Sequence, residues 1–136
     1  MFETFDHTAD IGLRIVAATL EELFVDAARG LMSLLVENIE VVQPTLTETI
    51  QLGSTEVDYL LFDWLNELLY TFESERLLLA EFKVELDPDG LRATARGEPM
   101  DLDRHRMEHE VKAITYHGLR VEEDADGWIA EVIVDI

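Results

Sequence analysis

Two segments of the sequence repeat apolar residues at the spacing of an α-helix, and this pattern limits the folds open to the chain. The first stripe runs from about residue 20 to 36 and the second from about 57 to 72. A helix with one apolar face must bury that face against another element. We therefore predict two amphipathic helices that pack on whatever the rest of the chain forms.

The starts of both helices are also marked in the sequence. Thr19 and Glu22 have the spacing of a capping box, in which the threonine hydroxyl accepts a hydrogen bond from the glutamate amide. Ser54 or Thr55 is the predicted start of the second helix, because acidic residues follow at its positive end.

The remaining chain alternates apolar and polar residues at period two, which is typical of half-buried strands. A turn at residues 88–90 and an acidic loop ending in Gly127 indicate hairpins. The alternation predicts strands over residues 2–5, 11–17, 45–52, 77–87, 91–95, 111–121 and 128–136. We expect residues 1–136 to form one α+β domain, a two-layer sandwich with both helices packed on a mostly antiparallel sheet of about seven strands.

The chain is strongly acidic, with 30 acidic and 10 basic residues among 136 and a formal net charge of −20. Neutralising phosphates requires clustered lysine and arginine, so direct high-affinity binding of nucleic acid is not expected. Either high solubility or adaptation to the salty cytoplasm of a halophilic host explains this acidity. The sequence has no cysteine, no membrane-length apolar run and no N-terminal secretory pattern, which together favour a cytoplasmic protein without membrane contact.

One motif suggests zinc chemistry. His105, Glu108 and His109 fit the H-x-x-E-H pattern, in which a helix aligns two histidines on zinc and the glutamate acts as a base in hydrolysis. The flanking sequence has no helical stripe and no evident third ligand, so the alternative is a solvated loop with incidental histidines. Residues 122–127 resemble the start of an EF-hand calcium loop, but Ile133 occupies the position that requires a glutamate, and we interpret the segment as a hairpin turn.

The two ends of the chain carry acidic groups suited to a hard cation. Asp10 lies in the polar segment 6–12, and Asp135 precedes Ile136 and its terminal carboxylate. Alternation along the last strand places Asp135 on the face opposite to the apolar residues. If the strands bring these three carboxylates together, they form an oxygen site for Ca²⁺ or Mg²⁺. If not, Asp10 is a turn residue and Asp135 a solvated strand end.

Several sequence blocks, in order and over essentially the whole chain, resemble the archease family. The blocks that carry the resemblance are DHTADIG (6–12), LEELF (20–24), AARGL (27–31), LLFDWLNELLY (60–70), GE (97–98), EVKAITYH (110–117) and VIVDI (132–136). The resemblance implies a protein without bond chemistry of its own that activates an RtcB-type RNA ligase in tRNA splicing and RNA repair. It would promote guanylylation of the ligase and multiple turnover. The resemblance also implies tRNA-modifying enzymes, including a tRNA methyltransferase, as alternative partners of a chaperone-like protein.

The resemblance also implies a metal site. The family's ligands correspond to Asp10, Asp135 and the terminal carboxylate of Ile136, with Ca²⁺ as the usual ion. His105 matches a histidine common in the family, whereas His109 has no counterpart, which weighs against the zinc interpretation. The candidates for partner contact or for support of the site are His7, Lys112 and His117.

The net charge predicts how the fold responds to salt. If the acidity is an adaptation to a salty cytoplasm, like charges repel one another in dilute buffer and destabilise the fold, and screening by salt relieves this repulsion. We expect Tm, followed by circular dichroism, to rise steadily from dilute buffer to molar KCl. A flat response would leave solubility as the reason for the acidity.

Overall fold

The computed structural model describes residues 1–7, 10–54 and 56–136, with the backbone alone at His7. Two helices and seven strands follow one another within these ranges. In chain order the elements are β1 (Phe2–His7), β2 (Asp10–Ala17), α1 (Leu20–Leu35), a 3-10 turn (Ile39–Val41), β3 (Leu46–Leu52), α2 (Val57–Glu75), β4 (Leu77–Asp87), β5 (Gly90–Pro99), β6 (Ala113–Asp124) and β7 (Gly127–Asp135).

The strands form two antiparallel sheets. One has four strands in the order β1-β2-β7-β6, and the other has three in the order β3-β5-β4. The predicted α+β class, with two helices packed on antiparallel strands, is confirmed. The division into two sheets differs from the single sheet that we expected. Alternation reveals which face of a strand is buried, but it does not reveal which strands pair.

Both helices contact both sheets. Helix α1 packs on β1, β2 and β7 of the four-stranded sheet and on β4 of the other, while α2 packs on β6 and on all three strands of the smaller sheet. The buried side chains of α1 form one wide face of the helix: Leu23, Phe24, Ala27, Ala28, Leu31, Met32, Leu34 and Leu35. Because strands of both sheets contact this helix, and also α2, the helices form a core that the two sheets share.

The predicted start of α1 is confirmed, whereas α2 starts later than predicted. The Thr19 hydroxyl accepts a hydrogen bond from the Glu22 amide at 3.2 Å, which confirms the predicted cap of α1. Helix α2 begins two residues later than expected from Ser54, with Glu56 as its N-cap. The Ser54 hydroxyl accepts from the Glu56 amide at 3.3 Å and thus stabilises the turn that precedes the helix. Thr55, the other predicted start, lies outside the described residues.

No helix of the described ranges is both long enough and apolar enough to cross a bilayer.

Trp64 on α2 connects three elements of the core. Its side chain is fully buried, and its indole nitrogen donates a hydrogen bond of 3.0 Å to the carbonyl oxygen of Phe24 on α1. Its ring meets the ring of Phe82 on β4 edge to face, with 6.2 Å between centroids. A buried indole requires a partner for its N–H group, so this hydrogen bond fixes how α2 sits on α1.

Shortening this side chain should therefore destabilise the whole fold. We expect Trp64→Phe to lower the free energy of unfolding by about 1–3 kcal/mol, from the lost hydrogen bond and the lost volume. Urea unfolding measures the change. The matched control is Trp128→Phe, because the half-buried Trp128 indole makes no hydrogen bond within the described residues and its replacement should cost clearly less. Equal losses in the two variants would contradict this role of Trp64.

Candidate functional site

Two aspartates lie directly opposite each other at one end of the four-stranded sheet. Asp10 is the first residue of β2 and Asp135 the last of β7, and the antiparallel register pairs them. Directly opposed residues project from the same face of a sheet, with Cβ atoms about 4.5–5.5 Å apart. Both residues are half-buried. Like charges directly opposite each other destabilise a sheet, and a cation between the two carboxylates would offset this repulsion.

The aspartates project from the face of the sheet that points away from the helices. Leu13 and Ile15 of β2, and Val132 and Val134 of β7, occupy the other face and are fully buried. The prediction that Asp135 lies opposite the apolar residues of its strand is therefore confirmed. The site is open to a ligand or a partner because the core lies behind it.

Two other candidate residues, His7 and Lys112, lie next to the aspartate pair. His7 lies opposite Asp10 on β1, and Ala113 lies opposite Asp135 on β6. The backbone amide of Lys112 donates a hydrogen bond of 2.8 Å to the carbonyl oxygen of Asp135, and its side chain is exposed. His7 and Lys112 therefore flank the aspartate pair on both sides.

Two more candidate residues, Ile136 and His117, lie outside the strand positions paired with the two aspartates. Ile136 follows β7 and packs, half-buried, against the edge of the core. His117 is exposed further along β6, where the pairing of β6 with β7 is interrupted. His117 therefore belongs to the surface around the site.

Phe5 covers the middle of β2 on the same face as the aspartates. A Cβ atom on Gly12 would lie 2.1–2.4 Å from three atoms of the Phe5 ring, so only glycine lets the ring lie flat on the strand. The Arg14 guanidinium also lies over this ring, with its carbon 5.0 Å from the centroid. A glycine inside a predicted strand is the sequence signal for such a close approach, and it would have revealed the contact of Gly12 with an aromatic ring.

Arginines neutralise the acidic residues at the middle of this face. Arg120 donates to Glu131 at 2.6 Å and to Glu122 at 3.0 Å, while Arg14 donates to Glu3 at 2.9 Å. The Arg120 hydrogen bond holds the pKa of Glu131 below its usual range, with smaller contributions from Arg14. Within the described residues no salt bridge reaches Asp135, and Arg14 and Arg120 pair with glutamates further along the face.

The zinc interpretation of His105, Glu108 and His109 is wrong, because the segment that carries them is not a helix. The amides of Glu108 and His109 each donate a hydrogen bond of 2.9 Å to the last turn of α1, which holds the segment extended. The helical alignment of the two histidines is thus lost. Across residues 1–7, 10–54 and 56–136, no three aspartate, glutamate or histidine side chains form a group that could hold a metal ion. A cation at Asp10 and Asp135 therefore requires another ligand, such as a terminal carboxylate.

The solvated-loop alternative is also wrong for His105, whose side chain is fully buried. Its Nδ1 atom accepts a hydrogen bond of 2.9 Å from the Asp101 amide, so the neutral ring carries its proton on Nε2. Nε2 has no hydrogen-bond partner and lies 3.7 Å from a carboxylate oxygen of Glu98. Glu98 itself accepts from the Arg104 guanidinium and the Gln43 amide.

The cluster of Glu98, Arg104 and His105 fastens the chain after β5 to the loop after α1. Asn38 completes the connection: its side chain donates to the Arg104 carbonyl at 2.9 Å and accepts from the Arg106 amide at 2.8 Å. Because the bonds of Asn38 and of the Gln43 amide join residues far apart in sequence, the cluster holds two loops together. We assign it a structural role.

The acidic segment 122–127 is the hairpin turn between β6 and β7, as predicted. The Asp126 amide donates to the Asp124 carboxylate at 2.8 Å across the turn, and strands flank it on both sides. The carboxylate therefore caps the turn's own backbone.

The fold and the site define a class: small α+β proteins in which two helices share a core with two antiparallel sheets, and an opposed pair of aspartates lies on the open sheet face. Comparison with known proteins identifies the family. The model of the Archease protein family (MTH1598/TM1083) matches residues 2–136. The chain belongs to the archease family.

Relatives agree over nearly the full length of the chain. A protein archease from Methanopyrus kandleri is 39% identical over 139 residues, which cover 99% of both chains. Protein 1598 of Methanobacterium thermoautotrophicum, solved in solution, superposes with a TM-score of 0.86 at 34% identity and covers 99% of this chain and 98% of its own. An archease of Thermotoga maritima, described as a possible chaperone, has a TM-score of 0.69 at 25% identity, covering 100% of this chain and 98% of its own.

The buried Glu98 cluster predicts a defined loss of stability in acid. The Arg104 hydrogen bonds hold the pKa of Glu98 below its usual range. A carboxyl whose pKa is lowered by folding stabilises the protein above its unfolded pKa of about 4.3, and this contribution disappears as the pH falls through the folded pKa. Glu98→Gln should therefore lower Tm at neutral pH, and the difference from the native protein should shrink as the pH falls below about 4.

Circular dichroism melts across this pH range provide the measurement. Glu85→Gln is the control, because Glu85 is exposed on β4 and makes no salt bridge within the described residues. A Glu98→Gln deficit that stays constant from neutral to acidic pH would show that lost packing, and not the carboxylate charge, causes the destabilisation.

Proposed function

We propose that this chain is an accessory protein that activates an RtcB-type RNA ligase in tRNA splicing and RNA repair. It promotes guanylylation of the ligase and multiple turnover, and it forms or breaks no bond itself. Membership of the archease family supports this proposal. The description of the Thermotoga relative as a possible chaperone agrees with a protein that acts on another protein.

The aspartate pair carries the proposal for a Ca²⁺ site. Asp10 and Asp135 offer hard oxygen ligands from opposed positions of two strands, and this chemistry suits Ca²⁺ or another hard divalent cation. The α-carboxylate of Ile136, which follows Asp135 directly, is the proposed third ligand. A bound cation supplies positive charge that offsets the repulsion between the carboxylates.

The charge of the chain favours action through protein contact. With a net charge of −20, the chain repels the RNA backbone, so contact with the ligase is the simpler route to an effect on RNA joining. His7 and Lys112, which flank the aspartates, and His117 further along β6 are the proposed contact or supporting residues around the site.

The Ca²⁺ site can be tested by thermal shift. A cation that binds only the folded protein stabilises it by about 2.7 kcal/mol at a hundredfold excess over Kd. We expect Ca²⁺ to raise Tm of the native chain, and we expect Asp10→Ala, Asp135→Ala and a C-terminal extension beyond Ile136 each to abolish that rise. The conservative Ile136→Val change, which keeps the carboxylate, should leave the response intact.

The same variants test activation of the ligase. With limiting RtcB-type ligase and excess RNA halves, the native chain should increase the number of turnovers, whereas the three site variants should not. The C-terminal extension is the informative comparison, because it changes one charge and no side chain. If the extended protein responds to Ca²⁺ and activates the ligase like the native one, the terminal-carboxylate site is wrong. If the native chain instead stimulates a purified tRNA methyltransferase and not the ligase, the alternative partner is the correct one.

A further inference from the structure

The outward face of α2 carries two tyrosines with two acidic residues between them and no positive charge. Tyr59 and Tyr70 are 50% and 64% exposed, which is unusual for large aromatic side chains. Asp63 and Glu67 lie between them at helical spacing and therefore share their face. Residues 57–75 include no lysine, arginine or histidine. We call Tyr59, Asp63, Glu67 and Tyr70 the tyrosine–acid stripe.

Tyr116 of β6 extends the stripe beyond the helix. Its ring stacks on that of Tyr59, with 5.0 Å between centroids and 13° between planes, and meets Phe62 edge to face. Its hydroxyl donates a hydrogen bond of 3.2 Å to the Asp58 carboxylate. The Tyr59 hydroxyl, burial and Asp58 together raise the pKa of Tyr116 to about 12, which keeps the phenol neutral. Two stacked and partly exposed rings thus stand beside a carboxylate.

A bulge in β6 brings Tyr116 to this place. The pairing of β6 with β7 shifts between Thr115 and Arg120, so that residues 116–119 lie opposite Val132 alone. Gly118 within the bulge has a φ of +80°, a conformation that other residues rarely adopt. Bulges commonly redirect a side chain at a functional surface. Here the bulge directs Tyr116 toward the start of α2.

The chemistry of the stripe selects a cationic partner. The faces of tyrosine rings attract guanidinium and ammonium groups, and carboxylates beside them strengthen the attraction. A second copy of this chain, at −20, and a nucleic acid are both repelled. Tyrosine is also among the residues that contribute most to protein interfaces. Tyr59 and Tyr70, eleven residues apart, lie about 16 Å apart along the helix, enough for a short segment of another protein.

We infer that the tyrosine–acid stripe, extended by Tyr116, is a docking surface for an arginine- or lysine-rich segment of a protein partner. This inference deepens the proposed function, on which it rests for the identity of the partner. The aspartate pair and the stripe are separate elements, since one lies on the open sheet face and the other on α2. The two sites can therefore be disabled independently.

The first experiment measures binding of the full chain to purified RtcB-type ligase by calorimetry. Tyr59→Ser combined with Tyr70→Ser should weaken binding at least about tenfold, a loss typical of interface tyrosines. Tyr59→Phe combined with Tyr70→Phe keeps the rings and should bind like the native chain. The matched control is Leu102→Ser, because Leu102 is 72% exposed and lies in the loop after β5, outside the stripe. All these side chains are exposed, so circular dichroism should show unchanged folds.

The second experiment tests the charge and does not depend on the ligase. In a ¹⁵N-resolved NMR titration with a hexa-arginine peptide, amide shifts should concentrate at residues 58–74 and at Tyr116. Asp63→Asn combined with Glu67→Gln should reduce them, whereas Glu81→Gln combined with Glu85→Gln, on exposed positions of β4, should not.

The outcomes separate the two proposals. If the native chain neither binds nor activates the ligase, the proposed function fails, and the peptide titration alone decides the docking surface. If the ligase binds equally to the native chain and to the double serine variant, the docking surface is wrong while activation stands. The docking surface is also wrong if the peptide shifts amides of the acidic turn at residues 122–126 as much as those of α2. It is equally wrong if the chain binds single-stranded RNA more tightly than the peptide.

Discussion

The hydrogen bond from the Trp64 indole to the Phe24 carbonyl is the contact on which the rest of the structure depends. It joins the two helices at a fully buried point, and the edge-to-face contact with Phe82 extends the connection to the smaller sheet. Each sheet buries its apolar face on these helices. The relative positions of α1 and α2 therefore determine how the four-stranded sheet faces the three-stranded one.

The candidate cation site follows from this arrangement. With the helices against one face of the four-stranded sheet, the other face is free for polar groups, and alternation directs Asp135 there. Strand β7 lies in the middle of that sheet, so its neighbours fix it on both sides. The sheet holds Asp10 and Asp135 opposite each other although their charges repel, and the core supplies the stability that offsets this repulsion.

Local patterns in the sequence were sufficient for the elements and for the faces they bury. The helical stripes, the Thr19 cap and the face of Asp135 depend on neighbours within a few residues, and the structure confirms each. The division into two sheets and the burial of His105 depend on residues far apart in sequence. No local pattern encodes such contacts. From the residues alone, the pairing of Asp10 with Asp135 could be stated only as a condition, because the register of two strands depends on residues far apart in sequence.

Strand β6 connects the aspartate pair with the tyrosine–acid stripe. Ala113 lies opposite Asp135 on the open face, and Tyr116, three residues further along, stacks on Tyr59 at the start of α2. Three strand residues span about 10 Å. The bulge that positions Tyr116 therefore lies in the same strand that pairs with β7 beside Asp135. The same acidic excess that repels RNA would attract a basic partner to this side of the molecule.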